Sequence, residues 1–278
     1  MIKNILSTVD GSAYSNAVVR QSICLAQKYG ALLRFLTIVD VRIFEWAVYI
    51  GADGFMPMIS TSSYQKETQR VLDEKAEEVL KKCAQKAQDA KVDFVTVKIA
   101  GSPVEVICDQ AHMVDLIVMG RRGEYARWEG RLMGATLDGA VREANKPILV
   151  LPKQYRAIRK MLLAYDRSPQ ANHALQMAAD FAVHLKSPLI VLAVDDDAAL
   201  GKRAIEEAME YLRPFGLKVS TRVSGGGVGD EILRACEREK VDLVIMGAHG
   251  HTRLREALLG STTEEVLRQI NLPLLLVR

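Results

Sequence analysis

Val114-Asp115-Leu116-Ile117-Val118-Met119-Gly120 returns in the second half of the chain as Val241-Asp242-Leu243-Val244-Ile245-Met246-Gly247, and a second glycine follows each copy, Gly123 and Gly250. Other landmarks recur in the same order. Asp10 is answered by Asp166, Val39-Asp40 by Val194-Asp195, and Lys146-Pro147-Ile148-Leu149-Val150 by Leu272-Pro273-Leu274-Leu275-Leu276-Val277. A repeat of half the chain is too long for a solenoid unit of roughly 20–50 residues. It reads instead as a duplicated domain, 1–153 and 158–278, joined near Pro152 to Arg159.

Around the quoted stretches the pattern alternates. Ile2 to Val9 and Lys160 to Tyr165 are short apolar runs that stop at an aspartate, each followed by a helical pattern. Leu32 to Val39 and Leu189 to Val194 read as second strands, Val92 to Ile99 and Lys218 to Val223 as third strands, and the two Val-Asp-Leu stretches as fourth strands. Charged helices, Glu67 to Asp89 and Gly201 to Phe215, separate the second and third strands, and Ile148 to Leu151 and Leu274 to Val277 close each half. Apolar strands alternating with helices imply an α/β fold with a parallel sheet covered on both faces, wound in right-handed crossovers. The expectation is two tandem doubly wound domains, each five-stranded in the order 3-2-1-4-5. Ligands bind such sheets outside the carboxyl ends of the strands where the winding reverses. Here that point lies between the first and fourth strands, and it brings Asp10 beside Gly120 and Asp166 beside Gly247.

Composition narrows the function. The 278 residues, 49% hydrophobic and 26% charged, have a formal net charge of +3, too small to argue for nucleic acid. No apolar run approaches the roughly 18 residues needed to span a bilayer. Met1 to Val9 reads as a strand rather than a signal peptide, so a cytoplasmic protein is expected. Cys24, Cys83, Cys108 and Cys236 stand singly and read as structural thiols. His249 and His251 lack partners at metal-ligand spacing. Neither half has a P-loop, and Gly225-Gly226-Gly227-Val228-Gly229 reads as a turn at a helix entry with Asp230 as its cap.

The chemistry concentrates in the second half, where Gly247-Ala248-His249-Gly250 is followed, nine residues on, by Gly260-Ser261-Thr262 opening the last helix. Glycines admit a ligand close to the backbone, and a helix N-terminus offers free amides and a favourable dipole to phosphate. A capping box, Ser261 with Glu264, competes as a purely structural reading. The first half reads Gly120-Arg121-Arg122-Gly123, then ten residues, then Gly134-Ala135-Thr136, so Ala135 removes the serine hydroxyl. Arg121, Arg122, Arg127 and Arg131 crowd this loop and suit either phosphate contact or solvent, solvent being the commoner outcome. The first half also carries an apolar insertion, Val41 to Ser63, whose Phe44, Trp46, Tyr49, Phe55 and Met58 call for burial, under a lid role or against a partner.

In the order and spacing of these landmarks the chain resembles tandem members of the universal stress protein family, over nearly all of both halves. Family members with the G-x2-G-x9-G-[ST] loop intact bind ATP. The resemblance therefore implies an adenosine nucleotide site at Asp166, Val194, Met246, Gly247, Gly250, Gly260, Ser261 and Thr262, with Val194 on adenine and Ser261 and Thr262 at the phosphates. The matching first-half set is Asp10, Val39, Met119, Gly120, Gly123, Gly134, Ala135 and Thr136, in a degenerate loop where weakened or lost binding is expected, so the second half is the expected ATP site. Magnesium would be held by the phosphates. The resemblance also implies a nucleotide-responsive regulator in stress response whose closing strands pair the two halves about a pseudo-twofold axis, with a homodimer of the whole chain as an option. Alternatives are a nucleotide-independent interaction scaffold and a slow ATPase. No positioned base or paired carboxylates recur that would make a fast one.

Overall fold

The computed structural model describes residues 1–40, 61–123, 134–248 and 260–278. The first half runs β1 (Asn4–Thr8), α1 (Ser15–Tyr29), β2 (Leu32–Asp40), α2 (Thr61–Asp89), β3 (Phe94–Gly101), α3 (Pro103–Ala111), β4 (Leu116–Gly120), α4 (Ala135–Glu143) and β5 (Ile148–Leu151). The second runs β6 (Met161–Ala164), α5 (Pro169–Leu185), β7 (Leu189–Val194), α6 (Ala198–Leu212), β8 (Val219–Ser224), α7 (Val228–Glu239), β9 (Leu243–Gly247), α8 (Ser261–Gln269) and β10 (Leu274–Val277). The α/β class and the tandem arrangement are as the sequence implies.

Strand order across the molecule is β3-β2-β1-β4-β5-β10-β9-β6-β7-β8, a single ten-stranded sheet. Pairing is parallel within each half, as between β1 and β2 or β6 and β9. At the middle β5 and β10 run antiparallel, with Leu274 opposite Val150, Leu275 opposite Leu149 and Leu276 opposite Ile148. Every residue of these two strands is buried, as strands covered on both faces require. The outermost strands, β3 and β8, instead mix half-buried and exposed residues. Two apolar layers cover the sheet. One contains Phe35 and Phe181 with α1, α2, α5 and α6, the other Ile107 and Val266 with α3, α4, α7 and α8. Tyr29 at the end of α1 stacks on His184 of α5 with ring centroids 4.1 Å apart, and meets Phe181 edge-on at 5.9 Å, so the first layer is continuous between the halves.

Element boundaries differ from the sequence reading in explicable places. Ile2 is buried but precedes the ladder, because β1 begins where Asn4 pairs with Leu32. α6 stops at Leu212 and tightens into a 3-10 turn over Arg213–Phe215, since the Pro214 ring cannot follow an α-helical turn. Asp230 does not cap α7; Gly227 occupies that position and Asp230 lies in the first turn. Of the insertion Val41 to Ser63, residues 41–60 lie outside the described residues, and the helix that follows begins at Thr61. All four cysteines are free; burial pushes the Cys83 thiol up to about 11 and that of Cys236 up to about 12.

The β5–β10 seam is the test of how the halves cohere. Leu275→Ala empties a fully buried position opposite Leu149 and is expected to cost about 2–5 kcal/mol. Urea unfolding followed by circular dichroism measures it, and a loss below ~1 kcal/mol would mean that the seam is open in solution.

Candidate functional site

β1 is flanked by β2 on one side and β4 on the other, so crossovers leave it in opposite directions and a crevice opens above its carboxyl end. The turn after β1 is built by hydrogen bonds. Asp10 Oδ1 accepts from the Ser12 N–H and the Ser15 hydroxyl, each at 2.9 Å, and Ser15 Oγ accepts from the Gly11 N–H at 3.0 Å. Gly11 has φ +77°, and a Cβ there would lie 2.9 Å from Val79 Cγ2 on α2. Glycine suits the turn twice over, taking the left-handed backbone without strain and leaving the space that Val79 fills.

The glycine loop after β4 closes over this turn. A Cβ on Gly120 would lie 2.7 Å from Tyr14 Cβ, and one on Gly123 would lie 3.0 Å from Asp10 Oδ2. Gly134 donates its N–H to the Arg121 carbonyl at 3.2 Å and serves as the N-cap of α4 with no side chain capping it. Ala135 and Thr136 therefore open the helix with first-turn amides that have no carbonyl of their own helix to bind. Thr136 does not cap, because it stands inside the first turn.

Together these elements enclose a cavity of about 670 Å³. The first-half set that the resemblance implies lines it, Asp10, Val39, Met119, Gly120, Gly123, Gly134, Ala135 and Thr136, and so does Arg122 but not Arg121. Val39 and Met119 form an apolar floor, each 3% exposed. Four lining residues of α2, Leu72, Lys75, Ala76 and Val79, share one helix face and make a wall. Tyr14, Lys75 and Pro103 are lining residues that sequence reasoning did not select. The signal for the α2 wall was its helical spacing, masked by the many other charges on that helix.

The second half repeats the frame with different contents. Asp166 Oδ1 accepts from the Ser168 N–H at 3.0 Å, and Ser168 Oγ caps α5 by accepting from Ala171 N–H at 3.1 Å. Where Gly11 stands in the first half, Arg167 follows Asp166 with φ +67°. Its Nε donates to Glu207 Oε2 of α6 at 2.7 Å, a bond that holds the Glu207 carboxyl below the usual carboxylate range. That pair ties the turn to the neighbouring helix. Gly247 packs against α5, since a Cβ there would lie 2.9 Å from Gln170 Cβ.

Val194 ends β7 half-buried, Met246 is buried, and Gly260 caps α8 with its N–H 3.4 Å from the Ala248 carbonyl. Ser261 is exposed in the first turn and Thr262 half-buried; Gly250 lies outside the described residues, as do Arg127 and Arg131. The capping box does not form, because Gly260 rather than Ser261 holds the N-cap position and Glu264 instead pairs with Arg268. Ser261 is thus left to solvent or a ligand. A residue that sequence reasoning missed, Thr263, is buried and donates to the Ala248 carbonyl at 3.0 Å, with the Gly247 carbonyl at 3.3 Å. It fastens the helix to the glycine loop, and a threonine on the inward face of an amphipathic helix was its signal.

Among the described residues no helix is long and apolar enough to cross a membrane, and no cluster of three or more His, Cys, Asp or Glu stands ready for a metal ion.

A model of the universal stress protein family matches residues 1–152 and again 157–278. A universal stress protein of Synechocystis sp. is 30% identical over 289 residues, covering 100% of each chain, and one of Mycolicibacterium smegmatis is 25% identical over 99% of this chain and 96% of its own. The solved structure of a universal stress protein from Archaeoglobus fulgidus shares the fold, with a TM-score of 0.77 at 23% identity over 99% of this chain and 96% of its own.

Thr263→Val keeps the shape and removes the hydroxyl that serves the Gly247–Ala248 carbonyls. It is expected to lower stability by about 1–3 kcal/mol, and a thermal or urea melt unchanged from wild type would show that the loop is not held there.

Proposed function

The chain belongs to the universal stress protein family, and on that premise we propose that it binds an adenosine nucleotide, ATP with magnesium, as a nucleotide-responsive regulator in stress response. The two units would be residues 1–153 and 158–278, paired through β5 and β10, in a cytoplasmic protein. One observation carries the reading: residues chosen for their place in the pattern, distributed from Asp10 to Thr136, converge on one cavity of about 670 Å³. That volume lies within the roughly 300–1,000 Å³ of small-molecule sites.

In this reading Val39 and Met119 pack on the adenine, and the glycines Gly120, Gly123 and Gly134 let backbone approach the ribose and phosphates. The amides opening α4 at Ala135 and Thr136 meet phosphate oxygens, aided by the helix dipole. The residues fit a magnesium–nucleotide rather than a resident metal. Asp10 already spends Oδ1 on Ser12 and Ser15, so the phosphates would be the ion's principal ligands. The charge that magnesium neutralises there belongs to the phosphates. Among the described lining residues Asp10 is already engaged in the turn after β1, and in this reading any ATP hydrolysis is slow and secondary to binding.

A second reading places nucleotide in the second half, at Asp166, Val194, Met246, Gly247, Gly250, Gly260, Ser261 and Thr262. It is favoured by the exposed Ser261 at the start of α8 and by the complete loop. A third is an interaction scaffold indifferent to nucleotide, for which the insertion would be the contact, with a homodimer as one form.

Calorimetric titration of nucleotide-stripped protein with ATP and magnesium separates the three, with circular dichroism confirming folded variants. The expected result is one site per chain, lost in Gly120→Val, whose side chain would strike Tyr14, and retained in Gly247→Val. The opposite pattern would move the site to the second half. No heat at millimolar nucleotide would leave the scaffold.

A further inference from the structure

The two consecutive arginines of the first glycine loop have different surroundings. Arg121 turns out of its own half. Its Nη2 donates to the Leu267 carbonyl and its Nη1 to the Ile270 carbonyl, the last turn of α8, and Nη1 also lies 3.4 Å from Asn271 Oδ1. Its backbone is equally held, the N–H donating to the Leu151 carbonyl at 2.9 Å and the carbonyl accepting from Gly134 at 3.2 Å. Burial lowers the guanidinium pKa from its ordinary value, yet an arginine stays charged at physiological pH, and a cation is well placed against the negative end of a helix.

Arg122, the next residue, lines the cavity. Its Cα lies 3.4 Å from the point where a Cβ on Gly134 would sit, so its backbone abuts the N-cap of α4. In the second half the counterpart of Arg121 is Ala248, buried and without charge, and that of Arg122 is His249, which lies outside the described residues. The first loop therefore lacks the serine of the second but places Arg122 beside the N-terminal end of α4, while the Arg121 guanidinium sits at the C-terminal end of α8.

We propose that Arg121 and Arg122 form the charge-selecting device of the first-half site: Arg122 contacts the phosphates of the bound nucleotide, and Arg121 positions it by anchoring the loop in the second half. This rests on reading the cavity as a nucleotide site. The chemistry is a substitution of donors. Ala135 offers no hydroxyl where the second half has Ser261, whereas a guanidinium presents N–H donors in a planar fork that fits phosphate two bonds at a time. Lys75 enters the cavity from the α2 wall and Asp40 from the end of β2, so the lining is not uniformly basic. Selection comes from the placement of Arg122 at the helix end rather than from net charge. A bare nucleoside gives Arg122 nothing to bind, and the preference for phosphorylated ligand should disappear with the guanidinium.

The test is titration of the full chain with ATP and, separately, with adenosine, for wild type, Arg122→Gln, Arg122→Lys and Arg121→Gln, alongside thermal melts. Arg122→Gln is expected to weaken ATP by about tenfold or more while adenosine stays within about twofold, with Arg122→Lys between. Arg121→Gln is expected to lower the melting temperature and also to weaken ATP more than adenosine. Unchanged ATP affinity in Arg122→Gln would make Arg122 a solvated side chain and overturn the proposal. Parallel loss of ATP and adenosine in Arg122→Gln would mark a collapsed loop and overturn it equally. If Arg121→Gln melts lower with the ATP-to-adenosine ratio of wild type, the tie is structural and the positioning role fails. Wild type binding neither ligand would sink the nucleotide reading itself, an outcome distinct from these.

Discussion

The structure depends on one antiparallel strand pair. β5 and β10 are short and apolar throughout, and each is already paired on its other side by β4 or β9. Left apart, each half would present an open, hydrophobic edge strand, which is a template for association. Pairing the two satisfies their backbone groups and turns two sheets into one. It also sets the two halves against each other, with the first-half crevice at the carboxyl ends of β1 and β4, the next two strands in from β5.

Two arginines span the seam in opposite directions. Arg121 of the first half reaches the last carbonyls of α8, and Arg278 of the second half donates to the Ala144 carbonyl at the end of α4 at 3.0 Å. Each half's last helix therefore ends on a cation supplied by the other half, satisfying carbonyls that a helix C-terminus leaves open. The N-termini of the same two helices are the candidate phosphate sites. Each helix is thus a rigid rod with one end at a crevice and the other at the partner half.

The strands were legible because burial on both faces writes itself as continuous apolar runs. β7 and both closing strands are found residue for residue where the pattern puts them, each entered through a proline, Pro188, Pro147 or Pro273. Caps were less legible: Ser261 and Asp230 have capping chemistry, yet Gly260 and Gly227 hold the N-cap positions. Both glycines hold ordinary extended backbone there, so neither side-chain capping chemistry nor hydropathy marks the position. Arg121 illustrates the deeper limit. Its partners Leu267 and Ile270 lie in the other half, and no local pattern records a contact made after the sheet has assembled.

The glycine loops were legible in spacing, but the space above the first of them was not. The second loop keeps Ser261 and Thr262; the cavity of about 670 Å³ lies under the first. The difference begins at a single position after the first strand. Gly11 lets the turn lie against Val79 with nothing projecting from it, whereas Arg167, in the same left-handed conformation, sends a side chain across to Glu207. A non-glycine residue in that conformation is held there only when its surroundings reward it, and here the reward is the ion pair with α6. In the first half the turn is bare and α2 walls a cavity; in the second, Arg167 ties the turn to α6 through its salt bridge with Glu207. A loop motif by itself therefore ranks the halves by donor chemistry. The residue after the aspartate, Gly11 or Arg167, sets a second difference between the halves that the loop motif does not contain.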